Sequence, residues 1–294
     1  MADQARVLTA LGNHGLAVFE AIEGGQAGRP FEIHFRRGVG RPLPGDRVAL
    51  DDARAVTEIA PRHGLFGRGV RGRFRAIAAN LDRLSIVIAP EPSPSRTLLY
   101  RYLAAARMSG IRPSIVINKN DIPIPDCPPF SELDRLDIPV FRTRAQPPAA
   151  LDGLPEALTG GIHLLAGQSG VGKTSLANAL IPDLSAQTRV LSRTTGKGRH
   201  TTTSARLLQL PRGGWLVDTP GVWEYSLWKM TPDALARGFP EFTGPSTRCR
   251  FRNCLHRTEP GCEVRTAVIS GEIPEFLLQA WHALLDEQER LAAG

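Results

Sequence analysis

Hydrophobic and polar positions follow three successive patterns along the chain. In roughly the first sixty residues, short alternating runs are separated by turn residues, which predicts a small β-barrel module. These runs cover residues 16–19, 31–35 and 47–50. Their periodicity fits a five-stranded OB barrel and an SH3-like barrel equally well.

From residue 84 onward, apolar runs alternate with helical stretches. Strands that alternate with helices are typical of a doubly wound, largely parallel sheet, so we expect an α/β fold here. After Trp228 the strand signals stop, and helical signals lead to a closing helix over residues 274–291. The expected strands of the α/β region are residues 84–89, 114–117, 139–141, 162–166 and 215–217, and two of its helices are residues 95–108 and 174–180.

A stretch rich in arginine and glycine lies between the first two regions, over residues 62–75. Its composition fits a flexible linker at a domain boundary. Arginines interleaved with Phe66 and Phe74 also fit a segment that lies along a nucleic-acid backbone. The sequence leaves both interpretations open.

Composition narrows the class of protein. The chain has 294 residues, of which 42% are hydrophobic, and this excludes a wholly disordered protein. No run approaches the roughly 18 apolar residues of a membrane span, and charged residues interrupt the apolar ones at the N-terminus. We therefore expect a soluble, cytoplasmic protein with no membrane contact.

The net charge and the kind of basic residue indicate which binding partners to expect. The formal net charge is +7, and only four of the 36 basic residues are lysines. An excess of arginine favours a phosphate-rich partner, although coding bias would produce the same excess.

The strongest motif is a full G-x-x-x-x-G-K-T that follows the expected strand at residues 162–166 and opens a helix. In such a P-loop, glycines let backbone amides wrap the phosphates, and the helix N-terminus favours negative charge. Lys173 would reach the β- and γ-phosphate oxygens, and the Thr174 hydroxyl would ligate Mg²⁺. The predicted nucleotide-binding residues are Gly167, Gln168, Ser169, Gly170, Val171, Gly172, Lys173, Thr174 and Ser175.

A D-x-x-G motif begins where the apolar run at residues 215–217 ends. Asp218 would hold the magnesium, generally through water, and the Gly221 amide would meet the γ-phosphate and report its loss. One of the threonines Thr201, Thr202 and Thr203, which precede this motif, would complete the magnesium shell. The sequence does not decide which; Thr202 and Thr203 are preferred, and Thr202 is taken as the expected ligand. An exposed strand that contains threonines is the alternative interpretation.

A third motif, N-K-x-D, follows the expected strand at residues 114–117. In this motif the aspartate carboxylate accepts hydrogen bonds from the N1 and N2 donors of guanine. Adenine offers no such donor pair, so the site should reject ATP. The motif therefore predicts a GTPase. The residues concerned are Asn118, Lys119, Asn120 and Asp121.

The residue that activates water is harder to identify. Many GTPases have a glutamine directly after D-x-x-G, but Val222 stands here and can neither donate nor accept a hydrogen bond, so intrinsic hydrolysis should be slow. His200 is the candidate that would orient or deprotonate the water. A surface histidine on a mobile loop is the alternative. The predicted catalytic residues are therefore Lys173 and, as a hypothesis, His200.

Three cysteines and a histidine crowd into one short stretch, with the spacing C-x4-C-x-H-x5-C. Three thiolates and one imidazole with no open position are typical of a closed, structural zinc site. We expect one structural Zn²⁺ per chain, which would replace a core that this short module cannot build. The expected ligands are Cys249, Cys254, His256 and Cys262.

The order of the motifs points to a particular family. N-K-x-D precedes the P-loop here, whereas it follows D-x-x-G in ordinary GTPases. Because the site is built from loops at strand ends, a permuted chain can assemble the same sheet. With a barrel before it and a cysteine/histidine module after it, the chain closely resembles the ribosome small-subunit-dependent GTPase A family (RsgA, YjeQ or YloQ). One segment departs from the family, because Thr143-Arg144-Ala145 matches only approximately the loop that usually backs the guanine.

The resemblance implies a fold and a function. The fold would be a circularly permuted P-loop GTPase sheet over residues 71–232, an OB-type β-barrel over residues 1–70 and a mainly helical zinc module over residues 233–294. The function would be a monomeric GTPase that binds the small ribosomal subunit and its rRNA and hydrolyses GTP with Mg²⁺. The resemblance also implies a role in late maturation of that subunit. The permuted order itself, which leads from D-x-x-G into the zinc module, predicts that GTP holds the protein on the subunit and that hydrolysis releases it.

Two other classes of protein remain as alternatives. One is a non-catalytic RNA-binding protein that is gated by GTP. The other is a zinc-finger DNA regulator with an unrelated P-loop ATPase, against which Asp121 argues.

Overall fold

Five strands near the N-terminus close into a barrel in this computed structural model, which describes residues 4–19, 28–146, 149–194, 205–219 and 225–293. The neighbour order is β1-β2-β3-β5-β4, and β4 pairs back onto β1. Only the β3–β5 pairing is parallel, and this closed five-stranded order is that of an OB barrel rather than an SH3-like one. The strands are β1 (Gln4–Leu11), β2 (His14–Phe19), β3 (Phe31–Phe35), β4 (Arg47–Leu50) and β5 (Ala55–Ile59).

The stretch rich in arginine and glycine forms a β-hairpin, not a linker. Strands β6 (Phe66–Val70) and β7 (Arg73–Ala78) pair antiparallel. Its glycines serve close packing, because a Cβ on Gly67 would lie 2.5 Å from the Phe74 ring and one on Gly69 would lie 2.2 Å from the Leu227 carbonyl oxygen. The linker interpretation is therefore wrong.

A second set of strands forms the predicted α/β sheet. Its order is β10-β9-β8-β11-β13-β12, with only β12 antiparallel to its neighbour β13. Because the other strands run parallel, their carboxyl ends meet at one edge of the sheet. The strands are β8 (Arg83–Ile88), β9 (Arg112–Ile117), β10 (Val140–Arg142), β11 (Ile162–Ala166), β12 (Arg206–Gln209) and β13 (Trp215–Asp218).

Helices cover the faces of this sheet, and continuous apolar strands follow from that burial. In β8 and β11 nearly every residue is buried. Ser95 caps the first helix by accepting a hydrogen bond from the Leu98 amide. The helices are α1 (Arg96–Met108), α2 (Leu154–Ala157), α3 (Lys173–Leu180) and α4 (Leu184–Thr194), and a 3-10 helix spans Phe130–Arg135.

The barrel and the α/β sheet are joined edge to edge. Strand β12 pairs with β1 at Thr9 and Arg206, so that eleven strands of the described segments form one continuous sheet.

The C-terminal part is helical and packs on α1. Its core is aromatic: Trp281 is 1% exposed, and Phe239 and Phe242 are each 2% exposed. These residues belong to the same apolar cluster as the α/β sheet, so the expectation that a metal replaces the core of this module is wrong. None of the helices in the described segments is long and apolar enough to cross a membrane. The elements are α5 (Pro232–Ala236), a 3-10 helix (Pro240–Phe242), α6 (Thr243–Ser246), α7 (Glu263–Ile269) and α8 (Glu275–Ala293).

Candidate functional site

The G-x-x-x-x-G-K-T loop joins β11 to α3 at the carboxyl edge of the sheet. Two of its glycines are required by space and by backbone conformation. Gly167 has φ +143°, and a Cβ there would lie 2.2 Å from the Val87 carbonyl oxygen. Gly172 has φ +94°, and a Cβ there would lie 2.3 Å from Asn118 Nδ2. The loop therefore keeps a wrapped backbone of the kind that cradles phosphate.

Lys173 folds back over this loop. Its Nζ donates to the carbonyl oxygens of Gly167 at 2.8 Å and Gln168 at 2.6 Å. Burial lowers the pKa of Lys173 from its ordinary value. An ammonium group that has lost part of its hydration, and that donates to neutral carbonyls, is well suited to receive phosphate oxygens.

The N-K-x-D loop lies directly against the P-loop. Asn118 is 2% exposed, and its Nδ2 donates to the Val171 carbonyl oxygen at 2.9 Å. The two loops leave β9 and β11, which flank β8 in the sheet. Motifs about fifty residues apart in the sequence therefore meet at one place.

A third segment completes this end of the site. Asn118 Oδ1 accepts hydrogen bonds from the Thr143 hydroxyl and the Ala145 amide, both at 3.2 Å. The Asn120 amide donates to the Thr143 carbonyl oxygen at 3.0 Å. The approximate match at residues 143–145 thus lies at the site, next to the exposed Asp121.

Sequence reasoning missed the proline-rich loop that follows β8. Lys119 Nζ donates to the Glu91 carbonyl oxygen at 2.7 Å. Gln168 Oε1 accepts from the Ser95 amide at 3.0 Å, and Gln168 Nε2 donates to the Ser93 carbonyl oxygen at 2.9 Å. The position of this loop, between the two motif strands at the carboxyl edge, is the signal that would have indicated it.

Asp218 ends β13 at the same edge of the sheet, and its side chain is 39% exposed. Arg206 Nε and Nη2 donate to Asp218 Oδ2 at 2.7 and 2.6 Å. Asp218 and the exposed Thr174 offer carboxylate and hydroxyl oxygens, the donors that Mg²⁺ prefers, so the residues present fit this ion. His200, Thr201, Thr202, Thr203, Gly221 and Val222 lie outside the described residues.

The cysteine and histidine side chains converge in the C-terminal part. The ligand atoms of Cys249, Cys254, His256 and Cys262 all lie within 4.8 Å of one another. His256 Nδ1 is 3.3 Å from Cys262 Sγ and 3.9 Å from Cys249 Sγ. Ligands of a tetrahedral Zn²⁺ are expected roughly 3.5–3.8 Å apart, so the cluster fits zinc. Burial lowers the pKa of His256, which favours the neutral imidazole that a metal needs.

The backbone of this cluster is anchored by polar contacts. The Glu259 carboxylate accepts hydrogen bonds from the Leu255 and Arg257 amides, both at 2.7 Å. Trp281 Nε1 donates to the Leu255 carbonyl oxygen at 2.8 Å, which ties the loop to α8.

Comparisons with known proteins agree with this geometry. The family described as RsgA GTPase matches residues 59–228. "Small ribosomal subunit biogenesis GTPase RsgA" of Alcanivorax borkumensis is 39% identical over 264 residues, which are 86% of this chain and 75% of that protein. The protein of the same name from Azotobacter vinelandii is 37% identical over 276 residues, covering 90% of this chain and 80% of that one.

Two solved structures are similar over nearly the whole chain. YjeQ from Thermotoga maritima superposes with a TM-score of 0.76 at 27% identity, covering 98% of this chain and 99% of that one. YloQ, described as a circularly permuted GTPase, superposes with a TM-score of 0.71 at 25% identity, covering 99% and 96%.

Proposed function

The chain belongs to the RsgA GTPase family, and from this premise we propose that it binds the small ribosomal subunit and uses GTP hydrolysis to leave it during late maturation of that subunit. Its enzyme class is GTP hydrolase, and its fold is the circularly permuted sheet that the motif order predicts. The relatives' printed name, small ribosomal subunit biogenesis GTPase, supports the ribosomal partner.

The observation that carries the proposal is the hydrogen bond from Asn118 Nδ2 to the Val171 carbonyl oxygen. It holds the base-reading loop against the phosphate-binding loop, so one nucleotide can span both. In this arrangement Asp121 reads the N1 and N2 donors of guanine, and Lys173 with the amides of residues 167–175 binds the phosphates. Gly221, which lies outside the described residues, would meet the γ-phosphate.

The proposed function requires a magnesium ion bound together with the nucleotide. Thr174, Thr202 and Asp218 would hold it, and when bound it neutralises charge that develops on the phosphates. The chain's own residues orient the nucleotide and the water. With Val222 after D-x-x-G, we assign water orientation to His200. His200→Ala should bind GTP normally but lose partner-stimulated turnover, and full turnover in this variant would remove the assignment.

The β6–β7 hairpin supports an rRNA contact. Arg71, Arg73 and Arg75 are exposed. Phe74 between them packs against Trp228, with the two ring centroids 4.5 Å apart, and keeps 37% of its surface exposed. Guanidinium groups neutralise phosphates, and an exposed aromatic ring provides a surface on which a base can stack. We therefore place the RNA-binding surface partly on this hairpin, with the barrel and the zinc module beside it.

The hairpin is also bonded to the segment that follows D-x-x-G. The Tyr225 hydroxyl donates to the Gly67 carbonyl oxygen at 2.8 Å, and the Gly69 amide donates to the Ser226 carbonyl oxygen at 2.8 Å. This segment continues into α5 and the zinc module. Loss of the γ-phosphate would therefore change the position of the β6–β7 hairpin and of the zinc module, because both are linked to the segment that follows D-x-x-G.

The proposal includes three structural units, a monomeric cytoplasmic protein, and a structural zinc in the cysteine cluster. Because residues 70 and 71 lie within the β6–β7 hairpin, the boundary between the first two units would fall outside this hairpin and not at residue 70. The four converging ligand atoms support the zinc site.

The decisive experiment measures GTP turnover with small subunits, with large subunits and without addition. We expect strong stimulation by small subunits alone, and subunit binding that is tighter with a non-hydrolysable GTP analogue than with GDP. Equal binding in both nucleotide states would refute the release mechanism. If single-turnover hydrolysis shows no stimulation, the chain acts instead as a GTP-gated RNA-binding protein.

A further inference from the structure

Arg206 and Asp218 form an ion pair at the carboxyl edge of the sheet. Asp218 belongs to the D-x-x-G motif, whereas Arg206 belongs to none of the motifs described above. We propose that Arg206 is a positioning residue for the magnesium side of the pocket. It holds one oxygen of the Asp218 carboxylate, and the other oxygen would then accept a hydrogen bond from a water bound to the magnesium. This inference rests on the proposed function, because it requires Asp218 to serve the magnesium of the bound nucleotide.

The geometry of the pair leaves one oxygen available. Both Arg206 nitrogens donate to the same atom, Asp218 Oδ2, at 2.7 Å from Nε and 2.6 Å from Nη2. Within the described residues, Asp218 Oδ1 has no hydrogen-bond partner. Two donors on one oxygen fix the rotation of the carboxylate, and Oδ1 can then accept a hydrogen bond from a water molecule.

Arg206 is held in place from both sides. Its backbone pairs with Asp218 of β13 on one side and with Thr9 of β1 on the other. Its side chain is only 15% exposed. A guanidinium group on a strand that lies between two neighbours is a rigid support, unlike a charged side chain on a loop.

A second arginine in the same β-hairpin shows the contrast. Arg212 pairs with Glu156 at 2.6 Å, but the two side chains are 60% and 57% exposed. An exposed pair of this kind contributes little to stability and positions nothing at the nucleotide pocket. Arg212 is therefore a matched control.

Charge and orientation predict opposite effects when Arg206 is replaced. Removing the positive charge leaves Asp218 uncompensated, which by itself would strengthen Mg²⁺ binding. Removing the hydrogen bonds lets the carboxylate rotate, which weakens metal binding by roughly 10–100-fold where such supporting bonds are lost. Arg206→Met and Arg206→Gln separate the two effects, because both remove the charge while only glutamine keeps an N–H donor.

The test measures binding of fluorescent GDP while Mg²⁺ is titrated, and again in EDTA. We expect Arg206→Met to need roughly tenfold more Mg²⁺ for half-maximal enhancement of binding, at the lower end of that range because the contact runs through water. Arg206→Gln should recover most of this loss, and Arg212→Met should match the wild type. Metal-free GDP affinity should stay close to that of the wild type in all three variants. Thermal stability should fall in both Arg206 variants, because the largely buried ion pair with Asp218 is lost, and should stay unchanged in Arg212→Met.

The other outcomes overturn the inference in distinguishable ways. Equal magnesium dependence in Arg206→Met and wild type, or tighter binding in both Arg206 variants, would remove the positioning role. If Arg206→Met loses as much GDP affinity in EDTA as it does with Mg²⁺, the arginine has a structural role only. Asp218→Asn tests the premise: if it leaves the magnesium dependence intact, the proposed role of Asp218 fails first. If Arg206→Met does not fold, Arg206→Lys takes its place, because it keeps the stem and the charge but has a single nitrogen to donate to Asp218; an unchanged magnesium dependence in Arg206→Lys would then remove the positioning role.

Discussion

The proposed nucleotide pocket and the cysteine cluster are both built from loops, but the loops are held in different ways. Each loop of the pocket begins where a buried parallel strand ends, and Asn118 bonds both the P-loop and residues 143–145. The chain between Cys249 and Cys262 contains no helix or strand in this fully described stretch. Its order comes from side chains: the Glu259 carboxylate, the Trp281 indole and the four candidate ligands.

The difference indicates what each site needs in order to exist. The pocket can form before a nucleotide binds, because the sheet and the Asn118 hydrogen bonds already place its loops. The cluster brings three sulfur atoms and an imidazole together without regular structure beneath them, so a metal is expected to contribute to its folding. Buried aromatic residues next to the cluster reduce this dependence but do not satisfy the ligands.

The largest effect is expected from breaking the cluster. Structural zinc binding is worth about 10–16 kcal/mol in isolated zinc fingers. We expect Cys254→Ser to lose the metal and to lower the free energy of unfolding by more than about 4 kcal/mol, less than the full value because the module shares the aromatic core. Elemental analysis and thermal unfolding measure the two effects.

Cys127→Ser is the control for this change. Cys127 is exposed and lies outside the cluster, so metal content and stability should match the wild type. A Cys254→Ser protein as stable as the Cys127→Ser protein would show that the cluster needs no metal.

A smaller loss is expected from Asn118→Ala. The substitution removes three side-chain hydrogen bonds, to Val171, Thr143 and Ala145. At about 1 kcal/mol for each bond, we expect GDP affinity to fall by roughly 100-fold, with a lowered melting temperature. Calorimetric titration with GDP measures the first effect.

Asn120→Ala is the matched control, because Asn120 is exposed and its bond to Thr143 runs through the backbone amide. Its GDP affinity should change little. If both variants lose affinity equally, the side chain of Asn118 does not hold the pocket together.

The smallest effect is expected from Thr143→Val, which keeps the shape of a fully buried side chain and removes one hydroxyl. Loss of its single bond to Asn118 should cost about 1 kcal/mol, or roughly a fivefold loss of GDP affinity. Thr159→Val removes an exposed hydroxyl bond to the Pro155 carbonyl oxygen, away from the pocket, and should leave affinity unchanged. Indistinguishable affinities in the two variants would mean that residues 143–145 do not support the base-reading loop.

The parallel sheet and the meeting of its motif loops could be predicted from the sequence. Strands buried on both faces have continuous apolar runs, and the motifs lie where those runs end. The cysteine cluster could be predicted because its ligands are close in the sequence. Local signals were sufficient in both cases.

Other features depend on contacts between distant residues. Strand β1 has no clear alternation, because it pairs with β2, β4 and β12, and Arg6 and Thr9 are buried in it. The glycines of the β6–β7 hairpin suggest a flexible segment in the sequence. In the structure the Leu227 carbonyl oxygen packs against Gly69, so this glycine is required by close packing. The pairing of Arg206 with Asp218 requires β12, a strand that the sequence pattern did not indicate.

The central claim is that one pocket binds both the base and the phosphates of a guanine nucleotide. Competition of fluorescent GDP by unlabelled GTP and ATP tests it most directly, in the wild type and in Asp121→Ala. The account predicts that the wild type prefers GTP over ATP by at least about 1,000-fold, because a site built to hydrogen-bond a base strongly rejects one that lacks the partner groups. Asp121→Ala should lose most of this preference. Equal competition by ATP and GTP in the wild type would contradict the account.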